Sequence, residues 1–546
     1  MNFEIIETDG LGRIGKIEVN GKKLITPNLF AVVKPSGNLI TPYELKRLGV
    51  DCIFTNAYIL YQNEILKERA LRNGIHKLLE YDGIIATDSG AFQQYMYNDK
   101  IDINPEEIEL FQEDIGSDFP VILDIPVQPN DSYEVAKSKV LKTIERAKEN
   151  IKRRKQTKSE WMGPIHGAKY KDLLQMSAKE MSKLDFSINA IGGLVKLFVN
   201  YRFDLAVDIL LTVKKNVIPN RPLHMFGLGL PQFFSLAVAC GCDFMDSAAF
   251  MLYAKDERYF TLSTGTKKLD QLKEFPCTCP VCFNFSPKEL MTFNKKLRTE
   301  LLAKHNLHVS YSELKTIRQA IREGKLWELV EIRTRSHPNL IRGLNVLKKY
   351  SGFIEKYEKR YKKGGLFYIS SETLNRPIIT RQLKYLKNTY IVPESVKYVL
   401  ILPELDVNRE SSPIIKKWLN FIENFKEINR KLIHVIFMTT LFGIVPLELS
   451  DSYPFGQNET ITFPDQFNEL YKKSIRNSVD FFENYAKLYQ KCGILVPKTY
   501  YNQFNEKKEF ISHPIKDLKA YLEKNFQNTL IESDSLEEIL NFFIEN

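Results

Sequence analysis

Cys277, Cys279 and Cys282 stand in a C-x-C-x-x-C arrangement inside the segment PCTCPVC. Thiolates this close on a proline-punctuated loop can converge on one tetrahedral Zn²⁺, which then needs a fourth ligand. His305 in KHNLH is the best candidate for it, and His308, on the next turn, is the second. Four protein ligands leave no open coordination position, so the expectation is a structural zinc, one per chain. The alternative is three unligated buried thiols, and Cys52, Cys240, Cys242 and Cys492 are read in that way, as small packing residues. Two aspartates have distinctive settings of their own, Asp88 in TDSGAFQ and Asp246 in FMDSAAF. One buried carboxylate can attack a carbon and form a covalent intermediate while a second moves a proton. Glycosidic chemistry with retention uses such a pair. Spacing alone leaves open that each aspartate merely caps a helix.

The elements that must position these residues form a repeating pattern over roughly the first 260 residues. Short apolar runs end in Gly, Ser, Asp or Asn and are followed by helical stretches. The runs are 29–35, 52–58, 83–90, 120–126, 161–167, 187–193, 222–229 and 243–250. Helix-like segments lie between them at 41–49, 131–155 and 203–216. Eight strands alternating with helices predict a parallel sheet, and this length suits a closed (β/α)₈ TIM barrel better than an open doubly wound sheet. In a barrel the chemistry sits at the C-terminal ends of the strands. Asp88, Asp124, His166, Gly192 with Gly193, Gly229 and Asp246 all fall there, as one assembled pocket would require. The fold class is therefore α/β, a TIM barrel with a zinc-binding insert followed by a smaller α+β C-terminal region. The boundaries are a catalytic domain over 1–350 with the zinc subdomain at about 270–340, a linker over 351–365, and the C-terminal region over 366–546, with strands at 366–372, 396–404 and 431–440.

The chain has 546 residues, 44% of them hydrophobic and 26% charged, with 77 basic against 67 acidic residues and a net charge of +10. This surplus favours a polyanionic partner, though a solvated basic surface is an equal alternative. The cluster Lys152, Arg153, Arg154 and Lys155 reads as an exposed helix end. No apolar stretch reaches the roughly 20 residues that a membrane helix needs. Seven cysteines with three clustered do not make a disulfide framework, so a cytoplasmic protein without membrane contact is expected.

TDSGAFQ, LDIP (123–126), the GG at 192–193, HMFGLG (224–229), FMDSAAFMLYAKDERY (244–259), PCTCPVC, LLAKHNL (301–307) and IREGKLWELVEIRTRSHPNLIRGL (321–344) together resemble the tRNA-guanine transglycosylase family. The likeness is to its archaeal type, which inserts 7-cyano-7-deazaguanine (preQ0) at position 15 of tRNA on the route to archaeosine. It covers about residues 3–350, and continues weakly through GIVPLEL (443–449) and SYPFGQ (452–457). The resemblance implies that Asp246 attacks C1′ of the target nucleotide and displaces guanine, giving a covalent tRNA–enzyme intermediate. Asp88 would protonate the leaving base and deprotonate the incoming one. Ser89, Phe92, Asp124, His166, Gly192 and Gly193 would line the base site. Phe92 would stack on the base, Asp124 would accept from its N–H edge, and the glycines would let backbone approach it.

Several positions depart from the family pattern. His166 replaces a usual glutamine, Lys196 a proline and Leu230 a histidine, which leaves the incoming base open among preQ0 and related 7-deazaguanines. No PUA domain is discernible before Asn546, so a separate PUA-domain protein is an expected partner beside tRNA. The family also implies a homodimer through the zinc-region helices. Alternative readings are an archaeosine synthase-like paralogue, exchange on DNA, or a non-catalytic tRNA-binding subunit of a transglycosylase complex.

Overall fold

The computed structural model describes residues 1–91, 93, 96, 103–155, 158–405, 412–460, 468–501, 507–509 and 513–545. The chain divides into two compact units, Met1–Tyr357 and Glu358–Asn546.

The first unit opens with a three-stranded antiparallel sheet, β1 (Asn2–Asp9), β2 (Gly12–Val19) and β3 (Lys22–Ile25). Eight parallel strands follow: β4 (Asn28–Val32), β5 (Cys52–Asn56), β6 (Ile84–Asp88), β7 (Phe119–Pro120), β8 (Met162–Ile165), β9 (Ile188–Ile191), β10 (Leu223–Met225) and β11 (Phe244–Ser247). Each pairs with its neighbour, and β11 returns to β4 with Asp246 opposite Phe30. A parallel bridge from Val121 to Met162 joins β7 to β8 and completes the expected eight-stranded barrel.

Strands covered on both faces must be apolar along their whole length, which is why they read as continuous runs rather than alternations. β7 is shorter than the run at 120–126 suggested. Pro120 and Pro126 have no N–H to give to a ladder. Beyond Val121 the backbone is satisfied instead by side chains of the helix Tyr133–Arg153. Arg146 Nη1 donates to Leu123 O at 2.8 Å, and Thr143 Oγ1 accepts from Ile125 N at 3.1 Å. That helix starts at its Ser132 cap and presents Ala136, Val140, Ile144 and Ala147 to the barrel, the spacing of one helical face.

The barrel's N-terminal end is plugged. Ile17, Val19 and Leu24 of the antiparallel sheet pack with Phe30, Phe54, Phe119 and Phe244 from the barrel interior. Phe30 meets the other three rings edge-on at centroid distances of 5.4 to 6.3 Å. Chemistry is thereby confined to the opposite end of the strands. After β11 the hairpin β12 (Arg258–Thr261) and β13 (Gly265–Lys268) leads through two short helices, Pro280–Asn284 and Pro287–Thr292, into the long helix Lys295–Glu323.

In the second unit the strands expected at 366–372, 396–404 and 431–440 form as Leu366–Phe367, Tyr398–Pro403 and Ile433–Thr439. The last two lie in a five-stranded sheet ordered Gly443–Pro446, Ile433–Thr439, Tyr398–Pro403, Lys491–Leu495, Leu530–Ser533. Only the edge strand Gly443–Pro446 is antiparallel. Alternate residues of the central strands feed two separate cores: Val399 and Ile401 pack with Phe481 and Leu522, Leu400 and Leu402 with Ile422 and Phe543. Helices thus cover both faces, an α/β arrangement. Among the described residues no helix is long and apolar enough to cross a membrane.

Candidate active site and metal centre

Asp88 is the last residue of β6 and Asp246 lies one residue from the end of β11. Asn56, at the end of β5, donates from Nδ2 to Asp88 Oδ2 at 2.8 Å. Burial pushes the Asp88 carboxyl up to about 7. The next cause is the charge of Asp124, and Asp246 adds to it, while hydrogen bonds from the Gly90 backbone and Asn56 pull the other way. Three carboxylates in one barrel mouth cannot all ionise freely, and the one least favoured as an anion keeps its proton near neutrality.

Asp246 is held differently. Its Oδ1 accepts from His224 Nε2 at 2.8 Å and from Gly227 N at 3.1 Å. It does not cap the helix that follows, Ala249–Lys255, whose cap residue is Ala248 and whose Ala249 N donates to Ser247 Oγ at 3.0 Å. The helix-cap alternative therefore does not describe Asp246. Gly227 has φ +76°, and a Cβ there would lie 2.2 Å from Val195 Cγ2, so only glycine brings this amide to the carboxylate.

Asp124 and His166 are both buried and form a hydrogen bond through Oδ2 and Nε2. His166 Nδ1 is buried and has no partner among the described residues. Gly192 explains how the ring fits: a Cβ at that position would stand 2.2 Å from His166 Cε1. Gly193, with φ +76°, would bring a Cβ to 2.8 Å from Val127 O. The nearest neighbour of the Gly192 site is thus a side chain of this chain, a steric reason absent from the sequence reading. Ser89 is buried, and its hydroxyl donates to Ile122 O at 2.9 Å, tying the end of β6 to the segment after β7. Lys196 Nζ donates to Gln128 Oε1 at 2.7 Å, and Leu230 packs into the large apolar core. Phe92 lies outside the described residues.

Asn56 and His224 were not singled out as site residues in the sequence. The signal for Asn56 was present, since FTNAY ends a strand in a polar residue as the other site strands do. His224 offers none, because it lies inside a strand where a buried packing histidine is the ordinary expectation. The basic cluster at the end of helix Tyr133–Arg153 is largely paired: Arg153 with Glu109, Arg154 with Asp185 and Lys155 with Asp114.

The four residues expected to hold a metal come together. The Sγ atoms of Cys277, Cys279 and Cys282 and a ring nitrogen of His305 all lie within 4.8 Å of one another. His305 Nδ1 is 3.5 Å from Cys279 Sγ and 3.3 Å from Cys282 Sγ, and those two sulfurs are 3.6 Å apart. Ligands around one tetrahedral zinc, with Zn–S of about 2.3 Å and Zn–N of about 2.0 Å, sit roughly 3.5–3.8 Å from each other, so the set fits such an ion. His305 Nε2 lies 3.0 Å from Phe260 O, which places its proton there and leaves Nδ1 to the sulfurs. The ring also stacks on Tyr259 at 3.7 Å. His308 is not part of the cluster.

The model of the family described as queuine tRNA-ribosyltransferase matches residues 8–339, the span that carries both the barrel and the cysteine cluster. The chain belongs to this family. Its similarity to relatives extends through both units. It is 39% identical to the tRNA-guanine(15) transglycosylase of Methanococcus maripaludis over 547 residues, covering 98% of this chain and 81% of that one. Identity is 38% to the protein of the same name from Methanocaldococcus jannaschii, over 99% of this chain and 80% of that one. For the Pyrococcus furiosus protein it is 40%, over 84% and 71%.

Proposed function

We propose that this chain is a tRNA-guanine transglycosylase that exchanges guanine at position 15 of tRNA for preQ0 through a covalent aspartyl intermediate. The observation that carries the reading is the division of labour among the carboxylates: burial pushes the Asp88 carboxyl up to about 7, while Asp246 is held as a hydrogen-bond acceptor by His224 and Gly227. In the first half-reaction a carboxylate oxygen of Asp246 forms a bond to C1′ as the C1′–N9 bond of guanine breaks. Protonated Asp88 supplies the proton that the departing base takes up. In the second, Asp88 as carboxylate removes the N9 proton of the incoming base, N9 bonds to C1′, and the ester to Asp246 is released. Two displacements on opposite faces preserve the configuration at C1′. The target nucleotide has to leave its stack to reach the mouth.

Asp124 and His166 form the wall that reads the base edge, with Gly192 and Gly193 beside them. Ser89 braces that wall, and Phe92 supplies the stacking face. Cys277, Cys279, Cys282 and His305 hold one structural Zn²⁺, which ties the segment 277–282 to the long helix. The protein acts on tRNA in the cytoplasm as a homodimer, a reading supported by the exposed Phe283, Met291 and Leu297 beside the metal cluster.

The test is incorporation of labelled guanine into tRNA transcripts, chased with unlabelled preQ0 and run beside Asp246→Ala. Label that enters wild-type reactions, is displaced by preQ0 and is absent with the variant is the expected result. Folded, metal-bound protein that incorporates nothing would refute the exchange reading. Label that preQ0 fails to displace would refute the base assignment alone.

A further inference from the structure

Asp246 presents its two oxygens unequally. Oδ1 receives both donors, His224 Nε2 and Gly227 N, whereas Oδ2 carries no hydrogen bond among the described residues. The side chain retains 14% of its exposure, so the free oxygen is reachable from the barrel mouth.

His224 itself is completely buried and boxed by aromatic rings. Its ring centroid lies 4.9 Å from that of Phe226, 5.6 Å from Phe30, 6.1 Å from Phe54 and 6.2 Å from Phe244. Its other nitrogen, Nδ1, is buried with no partner among the described residues. Packing gives no reason for an imidazole here. A phenyl ring would fill the same aromatic box without burying a polar atom that has no partner and must still be desolvated. Among the described residues, the one polar contact that offsets this is the bond to Asp246.

We propose that His224 is a positioning residue for the nucleophile: it donates from Nε2 to Asp246 Oδ1, and with Gly227 it pins the carboxylate so that Oδ2 faces the reacting carbon. Gly227 alone supplies a single backbone donor, about which the carboxylate can rotate. The second donor, from a ring locked by its neighbours, removes that freedom. Preorganisation of this kind is lost with displacements on the order of 1 Å, which cost about 10²-fold in rate.

The proposal rests on Asp246 being the nucleophile, and the experiment separates the two claims. Single-turnover formation of the covalent tRNA adduct is measured for wild type, Asp246→Ala, His224→Phe and His224→Gln, together with KM for tRNA and thermal unfolding of each. His224→Phe should fold at least as stably as wild type, keep KM for tRNA, and form the adduct about 10²-fold more slowly. His224→Gln, which keeps an N–H donor, should recover most of that rate. His224→Leu serves as the donorless variant should the phenyl ring not be accommodated. Wild-type adduct rates in folded donorless variants, beside a dead Asp246→Ala, would overturn the positioning role alone. An equal loss in His224→Gln and His224→Phe would do so too, since it would report damage to the aromatic box. Adduct surviving in Asp246→Ala would overturn the nucleophile assignment and this inference with it.

Discussion

Gly192→Ala isolates one methyl group. Gly192 lacks the left-handed φ of its neighbour Gly193, so alanine introduces no backbone strain there. Its Cβ would stand 2.2 Å from His166 Cε1 and 3.0 Å from each ring nitrogen. Carbon atoms rest at about 3.5 Å or more, so the ring must retreat by roughly 1.3 Å. His166 is buried and tied to Asp124 through Nε2, so that movement breaks or redirects the pair. Displacement of about 1 Å in a substrate-positioning group costs on the order of 10²-fold, or about 2.7 kcal/mol of transition-state stabilisation. The stability cost of the overpacked site is roughly 1–3 kcal/mol. The assay is kcat/KM for labelled guanine exchange, with thermal unfolding to show that the variant is folded. The same change in a His166→Ala background supplies the control. With the ring gone the methyl has nothing to strike, so Gly192→Ala should cost less than about tenfold there, a coupling of more than about 1.4 kcal/mol. Activity near wild type in Gly192→Ala would refute the reasoning. An equal loss in both backgrounds would refute it as well, because the methyl would then act on the substrate and not on His166.

Adduct formation needs Asp88 protonated, so its rate should fall as pH rises through about 7 in wild type, and Asp88→Asn should lower it by about 10²–10⁴-fold. The Asp88 carboxyl is raised from its ordinary 3.8, so its favourable contribution to folding is full below about pH 4 and is lost as pH rises through about 7. Asp88→Asn should therefore melt above wild type at pH 8, with the difference closing toward pH 4; a difference independent of pH would contradict this. Chelation, or Cys279→Ser, should release one zinc per chain and lower the melting temperature, with proteolysis opening first around residues 258–323. Unchanged melting after the metal has been stripped would remove its structural role. Arg13 binds Asp243 through two bonds of 2.7 Å, with both side chains almost wholly buried. Asp243→Ala leaves that buried guanidinium without a counter-charge and should cost about 3–5 kcal/mol in urea unfolding, against little change for a surface aspartate such as Asp256.

Much of this molecule is written locally. The barrel strands are legible because a strand covered on both faces must be apolar throughout and end in residues that can turn, as GIIATDSG and SINAIGG do. The cysteine cluster is legible because its three thiols are chain neighbours. The choice of His305 over His308 belongs to tertiary structure, since it depends on which side of the helix Lys295–Glu323 meets Phe260 O and Tyr259. The raised Asp88 carboxyl follows from its burial and from the charges of Asp124 and Asp246, brought to one mouth only when the sheet closes on itself through β11–β4 and Val121–Met162. Gly192 is conspicuous in sequence, yet the atom that demands a glycine is on the His166 ring. His224 looks like any buried strand histidine until β10 lies beside β11 and sets its Nε2 at 2.8 Å from Asp246. Backbone satisfaction and burial are decided within a few residues and so leave a local record. Distances between side chains on different strands depend on register and closure, which no single segment contains.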